Sequence, residues 1–144
     1  MPEKETLERA AQDKREGKAP STQAGEFVHE EIEHVREGKH GARSTKQAIA
    51  IGLSKARRAG VKLPPPKKAS KETKEQAARD TRKAKSTAKK SAKRSRATLA
   101  ALKREGHSAA SKKALSRQAT RAAAKRSAAS RSRSAKKAAA TRKK

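Results

Sequence analysis

The sequence is poor in the residues that usually build a core or a covalent scaffold. Its 144 residues include no Cys, no Trp, no Tyr and a single aromatic residue, Phe27. Without cysteine the chain has neither disulfides nor thiolate metal sites. With one aromatic side chain it lacks the stacking platforms that single-strand and base-specific RNA modules use.

Long hydrophobic runs are missing as well. No stretch approaches the roughly 20 apolar residues that a membrane-spanning helix needs. The opening MPEKETLERAAQ has no apolar core, so we expect no secretory signal peptide there. The basic segments also lack a Trp, Phe or Leu face that would insert into lipid. We therefore predict a protein without a membrane partner.

Acidic residues are scarce beyond the first quarter of the chain. Residues 1–37 carry 6 basic and 10 acidic side chains, residues 38–66 carry 7 and none, and residues 67–144 carry 28 and 4. The formal net charge is +27, and hydrophobic residues make up 31% of the sequence. This asymmetry predicts a polyanionic partner, and low hydrophobicity with high net charge is typical of disorder.

The most complete local pattern lies in GKHGARSTKQAIAIGLSKARRAG, residues 38–60. Ser44 has the position of a helix N-cap, and Gln47 follows at the capping-box spacing. Gly60 is placed to end the helix in a left-handed conformation, with Val61 as the apolar residue of a Schellman motif. The three prolines that follow forbid continuation.

A second helix is predicted from a cap at Ser21 or Thr22 to Glu37, closed by Gly38. The two helices would pack as a hairpin through apolar stripes at i, i+4, i+7, formed by Val28, Ile32 and Val35 on one and by Ile49, Leu53 and Ala56 on the other. So few large apolar residues predict a marginal hairpin that gains from its ligand or from a homodimer through residues 21–61.

The remaining segments are polar. Residues 3–16 predict a short charged helix ended by Gly17 and Pro20, while residues 67–98 and 122–144 are low-complexity Lys, Arg, Ala and Ser. Like-charge repulsion opposes helix in these basic stretches until an anion screens it. The predicted fold class is therefore all-α, a short helical hairpin with a mostly disordered or conditionally helical basic tail. Its divisions are a charged arm at 1–20, the hairpin at 21–66 and the tail at 67–144.

A tripeptide recurs before the helix-forming runs. The copies are Arg15-Glu16-Gly17, Arg36-Glu37-Gly38 and Arg104-Glu105-Gly106, followed by Ser21, Ser44 and Ser111. One interpretation is a common helix ending. The other is a degenerate duplication that gives the tail a helical unit of its own at residues 99–126.

Residues 25–66, GEFVHEEIEHVREGKHGARSTKQAIAIGLSKARRAGVKLPPP, resemble an uncharacterised family of small basic bacterial and phage proteins. The shared core of that family reads roughly G-K-x-G-x-x-S-x-K-Q-A-I-A-I-G/A-L-S-x-A-R-x-A-G. The resemblance implies no activity. Beyond Lys67 the chain is similar only in composition to linker-histone tails and to Lys/Ala-rich histone-like proteins of bacteria.

The predicted binding residues are cations near the central helix and along the tail. The 38–44 loop leads into a helix N-terminus, which attracts phosphate. The candidates there are Lys39, Arg43, Ser44, Lys46, Lys55, Arg57, Arg58 and Lys62. The tail candidates are Lys89, Lys90, Lys93, Arg94, Arg96, Lys112, Lys113, Arg117, Arg121, Lys125, Arg126, Arg131, Arg133, Lys136 and Lys137.

Catalytic and metal chemistry are not predicted. His29 and His34 are five residues apart, about 140° around a helix, so they do not form a zinc-protease pair. His40 and His107 fall in predicted loops. No nucleophile lies beside a base with a supporting acid, so we predict no enzyme, no cofactor and no metal site.

These patterns favour a non-enzymatic, largely sequence-nonspecific DNA-binding protein. It would be cytoplasmic and nucleoid-associated, of the histone-like kind, and would act by phosphate neutralisation on duplex DNA. Two alternatives remain open. One is an RNA-binding or ribosome-associated basic protein, and the other is a protein-interaction module whose tail tethers it to nucleic acid.

Overall fold

The computed structural model describes residues 1–86 and 88–143. Over these ranges the chain forms seven α-helices, one 3-10 turn and no strand. The helices are α1 Lys4–Arg15, α2 Pro20–Arg36, α3 Thr45–Arg58, α4 Lys71–Lys83, α5 Ala92–Lys103, α6 Lys112–Ala124 and α7 Ala128–Arg142, with the 3-10 turn at Ser108–Ala110. The all-α class is confirmed. The prediction of a short hairpin with a mostly disordered tail is wrong, because four helices follow Lys67.

The tail helices share one local signal that the prediction did not weigh. Each begins at a serine whose hydroxyl accepts a hydrogen bond from the backbone N–H three residues on; the four are Ser70, Ser91, Ser111 and Ser127. Such caps satisfy a backbone donor that the helix itself leaves unpaired. Ala, Lys and Arg are also strong helix formers. Capping and propensity together outweigh the like-charge repulsion on which the prediction rested.

Helix α2 lies between α1 and α3, and α3 in turn contacts α4, α6 and the 3-10 turn. The two helices α2 and α3 approach closely at Gly52. A Cβ atom on Gly52 would lie 2.7 Å from Val28 Cα and 3.0 Å from the Phe27 carbonyl oxygen. The two backbones therefore lie so close together at this position that even a methyl side chain would not fit between them.

Two small apolar clusters form the core. One consists of Ile32, Val35, Ala42, Ala48, Ala109 and Ala110, with Val28 and Leu115 packed against it. The other consists of Ala10, Ala24, Phe27, Ala56 and Val61, with Leu53 and Leu63 packed against it. The first cluster joins residues on both sides of the three prolines, so the C-terminal half contributes to the core.

The predicted stripe on α2 is confirmed, whereas that on α3 is only partly right. The α2 stripe lies in the first cluster, whereas Ala56 belongs to the second and Leu53 packs against it, so the two stripes do not form one interface as predicted. Ile49 is partly buried and outside both clusters. The buried face of α3 runs instead through small residues, Ala48, Gly52 and Ala56. Small residues are needed there because α2 passes so close.

The predicted ends of α3 are confirmed. Ser44 Oγ accepts the Gln47 N–H at 3.2 Å, and Gln47 Oε1 accepts the Arg43 N–H at 2.7 Å. Gly60 has a φ of 97°, and Val61 N–H donates to the Ala56 carbonyl at 3.1 Å, as in a Schellman motif. The predicted serine or threonine cap of α2 is wrong, because that helix begins at Pro20 without a side-chain cap.

Candidate nucleic-acid interface

The loop before α3 and the segment before α6 are joined backbone to backbone. Gly41 N–H donates to the Leu102 carbonyl at 2.9 Å, and Ala42 N–H donates to the Gly106 carbonyl at 3.0 Å. A Cβ atom on Gly41 would lie 1.9 Å from the Glu105 carbonyl oxygen. Only glycine permits this approach, so Gly41 determines whether the two segments can meet.

Two side chains reinforce the junction. Thr45 Oγ1 donates to the Ala109 carbonyl at 2.6 Å, and Arg36 Nε donates to the Ala110 carbonyl at 2.9 Å. Ala109 and Ala110 are themselves buried. These bonds hold the first turns of α3 and α6 beside each other.

A groove of about 490 Å³ lies between these first turns. Its lining is Arg43, Ser44, Thr45, Lys46, Ser108, Ala109, Ser111, Lys113, Ala114, Arg117, Gln118 and Arg121. Five of these side chains are cationic and, over the described ranges, none is acidic. The first N–H groups of a helix have no partner within it, and its N-terminus carries partial positive charge. Both walls of the groove therefore attract anions.

Six of the predicted binding residues line this groove. Arg43, Ser44 and Lys46 lie on the α3 side, and Lys113, Arg117 and Arg121 lie on the α6 side. Lys112 begins the same helix, α6. The sequence did not indicate that the two groups would meet. The recurring Arg-Glu-Gly tripeptide before Ser44 and Ser111 was the only signal that pointed to a relation between them.

Other predicted residues are engaged within the protein. Arg57 is 8% exposed, and its Nε donates to the Leu63 carbonyl at 3.0 Å. Lys55 Nζ lies 2.6 Å from Glu31 Oε2 and 3.6 Å from Glu30 Oε1. These contacts direct both cations toward the protein interior.

Lys39 also has acidic partners, although its side chain is half exposed. Its Nζ lies 3.0 Å from both Glu37 Oε2 and Glu3 Oε1. The hydrogen bonds that Lys39 donates to the Glu37 and Glu3 carboxylates raise the pKa of Lys39 above its usual value. The loop thus offers phosphate one free cation fewer than its sequence suggests.

Arg58 pairs with Asp80 of α4. Asp80 was not among the residues predicted from the sequence. Arg58 Nε donates to Asp80 Oδ1 at 2.8 Å, Gln76 donates to the same oxygen at 3.1 Å, and Ser54 donates to Oδ2 at 2.7 Å. Burial by itself would raise the pKa of Asp80, but these three hydrogen bonds outweigh it and hold that pKa below its usual value. Asp80 is therefore the charged anchor of α4 on α3.

The remaining predicted cations are exposed and lie away from the groove. They are Lys62, Lys89, Lys90, Lys93, Arg94, Arg96, Lys125, Arg126, Arg131, Arg133, Lys136 and Lys137. Most belong to α5, α7 or the adjoining turns. Apart from Lys62, they spread positive charge over residues 89–137.

A family model, described as a family of unknown function (DUF6496), matches residues 4–68. The match supports the resemblance to an uncharacterised family, and it brings no activity with it. It ends before α4, so the α6 wall of the groove lies outside it. No curated protein and no solved structure shows significant similarity to the chain. Within residues 1–86 and 88–143, no helix is long and apolar enough to cross a membrane.

Proposed function

We propose that this protein binds duplex DNA through its phosphate backbone, without catalysis and largely without reading sequence. The observation that carries the proposal is the groove between α3 and α6, where two helix N-termini and five cations meet with no acidic side chain among the described lining residues. Helix N-termini are well-known phosphate sites. Phosphate contacts position a protein without specifying bases.

The charge of the C-terminal half supports the same role. Residues 67–144 carry 28 basic and 4 acidic side chains, and α7 is exposed along nearly its whole length. Each phosphate that a cation neutralises releases condensed counterions, which makes binding strongly salt-dependent. The groove would fix one phosphate run, and α5 and α7 would add contacts along the same or a neighbouring duplex. Such a protein would act as a histone-like component of the nucleoid.

Duplex is favoured over single-stranded or structured RNA by the side chains available. Specific RNA recognition relies on aromatic residues that stack on splayed bases. The chain has one aromatic residue, Phe27, which is 1% exposed within the second apolar cluster. No Phe, Tyr or Trp side chain is therefore exposed for stacking, which favours the phosphate backbone as the target.

The test is a binding titration of full-length protein with a short duplex and with a structured RNA of matched length, across a salt series. The groove variant replaces Lys46, Lys113, Arg117 and Arg121 by Ala. Its matched control replaces Arg131, Arg133, Lys136 and Lys137 by Ala, which removes the same two Lys and two Arg from α7. We expect the groove variant to lower the slope of log affinity against log salt by about 3 to 4, since each phosphate contact contributes about 0.9.

The control variant should lose clearly less affinity than the groove variant. If both lose the same, charge rather than the groove determines binding. If duplex is not bound at low salt, or structured RNA is clearly preferred at matched salt, the proposed function is wrong.

A further inference from the structure

A buried carboxylate on α2 has neither of its oxygens in a hydrogen bond within the described residues, although Lys55 forms an ion pair with one of them. Glu31 is 0% exposed, and Lys55 Nζ pairs with its Oε2 at 2.6 Å. Within the described residues, Oε1 accepts no hydrogen bond, and His40 Nε2 lies 3.2 Å from it. A buried anionic oxygen left in this way is costly unless a cation lies against it.

The neighbouring His40 is oriented by its other ring nitrogen. Its ring is 7% exposed, and Nδ1 lies 3.0 Å from the Gly41 carbonyl oxygen. Because a carbonyl only accepts, Nδ1 carries the hydrogen, and Nε2 of the neutral ring has a lone pair that faces Glu31 Oε1. Two lone pairs at this distance require a cation between them, either a proton or a metal ion. A backbone carbonyl on the distal nitrogen is the usual way in which a metal-binding histidine is held.

His34 completes the cluster. It lies three residues after Glu31 on α2, so both side chains are on one face of the helix. One ligand atom from each of Glu31, His34 and His40 can be chosen so that all three lie within 4.8 Å of one another. Glu3 Oε1 lies 2.9 Å from His34 Nε2 but is not one of the three ligand atoms in this group.

We propose that Glu31, His34 and His40 bind a divalent transition-metal ion, with Zn²⁺ as the ion that fits best. Zinc takes histidine nitrogen and carboxylate oxygen at about 2.0–2.2 Å in tetrahedral geometry, which separates neighbouring ligand atoms by about 3.3 Å. The 3.2 Å between His40 Nε2 and Glu31 Oε1 matches this spacing.

The local charge favours a cation although the protein as a whole is strongly basic. Among the residues that the structure describes, the carboxylates of Glu3, Glu30 and Glu31 pair with two lysines, Lys39 and Lys55. A bound ion would tie the loop that carries His40 to α2. Since this loop leads directly into the first turn of α3, the ion would stabilise one wall of the groove.

The test is calorimetric titration of untagged full-length protein with Zn²⁺ at neutral pH, and titration with Co²⁺ followed by its visible absorption. We expect one equivalent to bind and the thermal unfolding midpoint to rise. His34→Gln and His40→Gln should each weaken binding by at least about tenfold, because even residues that only support a ligand contribute about that much. Binding should also weaken as pH falls, because protons compete for the histidines.

The chain offers two matched controls, His29→Gln and His107→Gln, which remove histidines that lie outside the cluster and are exposed. Both should bind zinc as the unchanged protein does. His34 is only partly buried, so His34→Gln should fold, as circular dichroism will check, even if His40→Gln does not. The proposal is overturned if the unchanged protein binds no zinc at about 0.1 mM, or if His34→Gln binds as tightly as His29→Gln. NMR of the histidines supplies a further outcome. If His40 is protonated at neutral pH in a protein that takes up no zinc, then the cation between His40 Nε2 and Glu31 Oε1 is a proton, and the proposal is wrong.

Discussion

The same tripeptide, Arg-Glu-Gly, adopts two different shapes in this protein. In the copy that ends at Gly38, the glycine has a φ of 74°, and Lys39 N–H donates to the His34 carbonyl at 3.0 Å to close a Schellman motif. Gly17 has nearly the same φ, 72°. Gly106 does not have a positive φ, and its carbonyl accepts the Ala42 N–H instead. Repetition in sequence therefore does not ensure repetition in conformation, because the partner of the turn determines its shape.

The largest expected effect comes from breaking the contact between the loop that follows the second copy and the third copy itself. Gly41→Ala would place a Cβ atom 1.9 Å from the Glu105 carbonyl oxygen and 2.7 Å from that of Gly106, both backbone atoms that cannot rotate away. We expect a loss of about 3 kcal/mol or more in the free energy of unfolding, measured by urea denaturation. Gly25→Ala is the control, since a Cβ there meets nothing within 4 Å. That helical substitution should be neutral or stabilising by up to about 1 kcal/mol, and an equal loss in both variants would contradict the assigned role of Gly41.

The comparison extends to α4, which lacks an Arg-Glu-Gly turn and is held through Asp80 instead. Asp80→Asn removes the negative charge to which Arg58 and Ser54 donate hydrogen bonds. We expect the free energy of unfolding to fall by about 2 kcal/mol at neutral pH. Because folding lowers the pKa of Asp80, its contribution is full above the usual aspartate value and is lost as pH falls through the folded value. The unchanged protein should therefore lose more stability between pH 7 and pH 3 than Asp80→Asn does.

The matched control for Asp80 is Glu75→Gln on the same helix. Glu75 and Arg79 form a half-exposed pair at 3.8 Å, so its loss should change stability by less than about 0.5 kcal/mol. Parallel acid profiles for the unchanged protein and Asp80→Asn would show that Asp80 does not anchor α4.

The smallest effect is also the most direct comparison of the two turns. Gly38→Ala forces an alanine into a left-handed conformation and should cost about 1 kcal/mol. Gly106→Ala meets no steric obstacle within 4 Å and needs no positive φ, so it should change the free energy of unfolding by less than about 0.5 kcal/mol. Equal costs would mean that the two copies share a conformation after all.

The features that the sequence predicted are those governed by neighbours along the chain. The cap at Ser44, the left-handed Gly60 and the apolar stripe of α2 each depend on residues within about one or two helical turns. The serine caps of the tail helices are equally local. Apart from Ser111 they were not predicted, because low hydrophobicity and like-charge repulsion both favoured a disordered tail.

The features that the sequence did not predict depend on distant partners. The small-residue face of α3 follows from the close passage of α2, which no period in the sequence reveals. In the sequence Asp80 is an ordinary acidic residue of a helix, and only the folded structure brings Arg58 and Ser54 into contact with it. Likewise, His34 and His40 are six residues apart, and only the turn at Gly38 brings their rings together, with centroids 6.2 Å apart.

The junction at Gly41 joins two segments that the ribosome makes at different times. Its partner, the Leu102 carbonyl, lies about sixty residues later, and closing so long a loop is slower than forming neighbouring helices. Helices α1 to α3 emerge from the ribosome well before α6 is translated. A nascent chain therefore presents the first wall of the groove without the second. The capacity to hold an anion between them arises only after α6 has been made and has folded against α3.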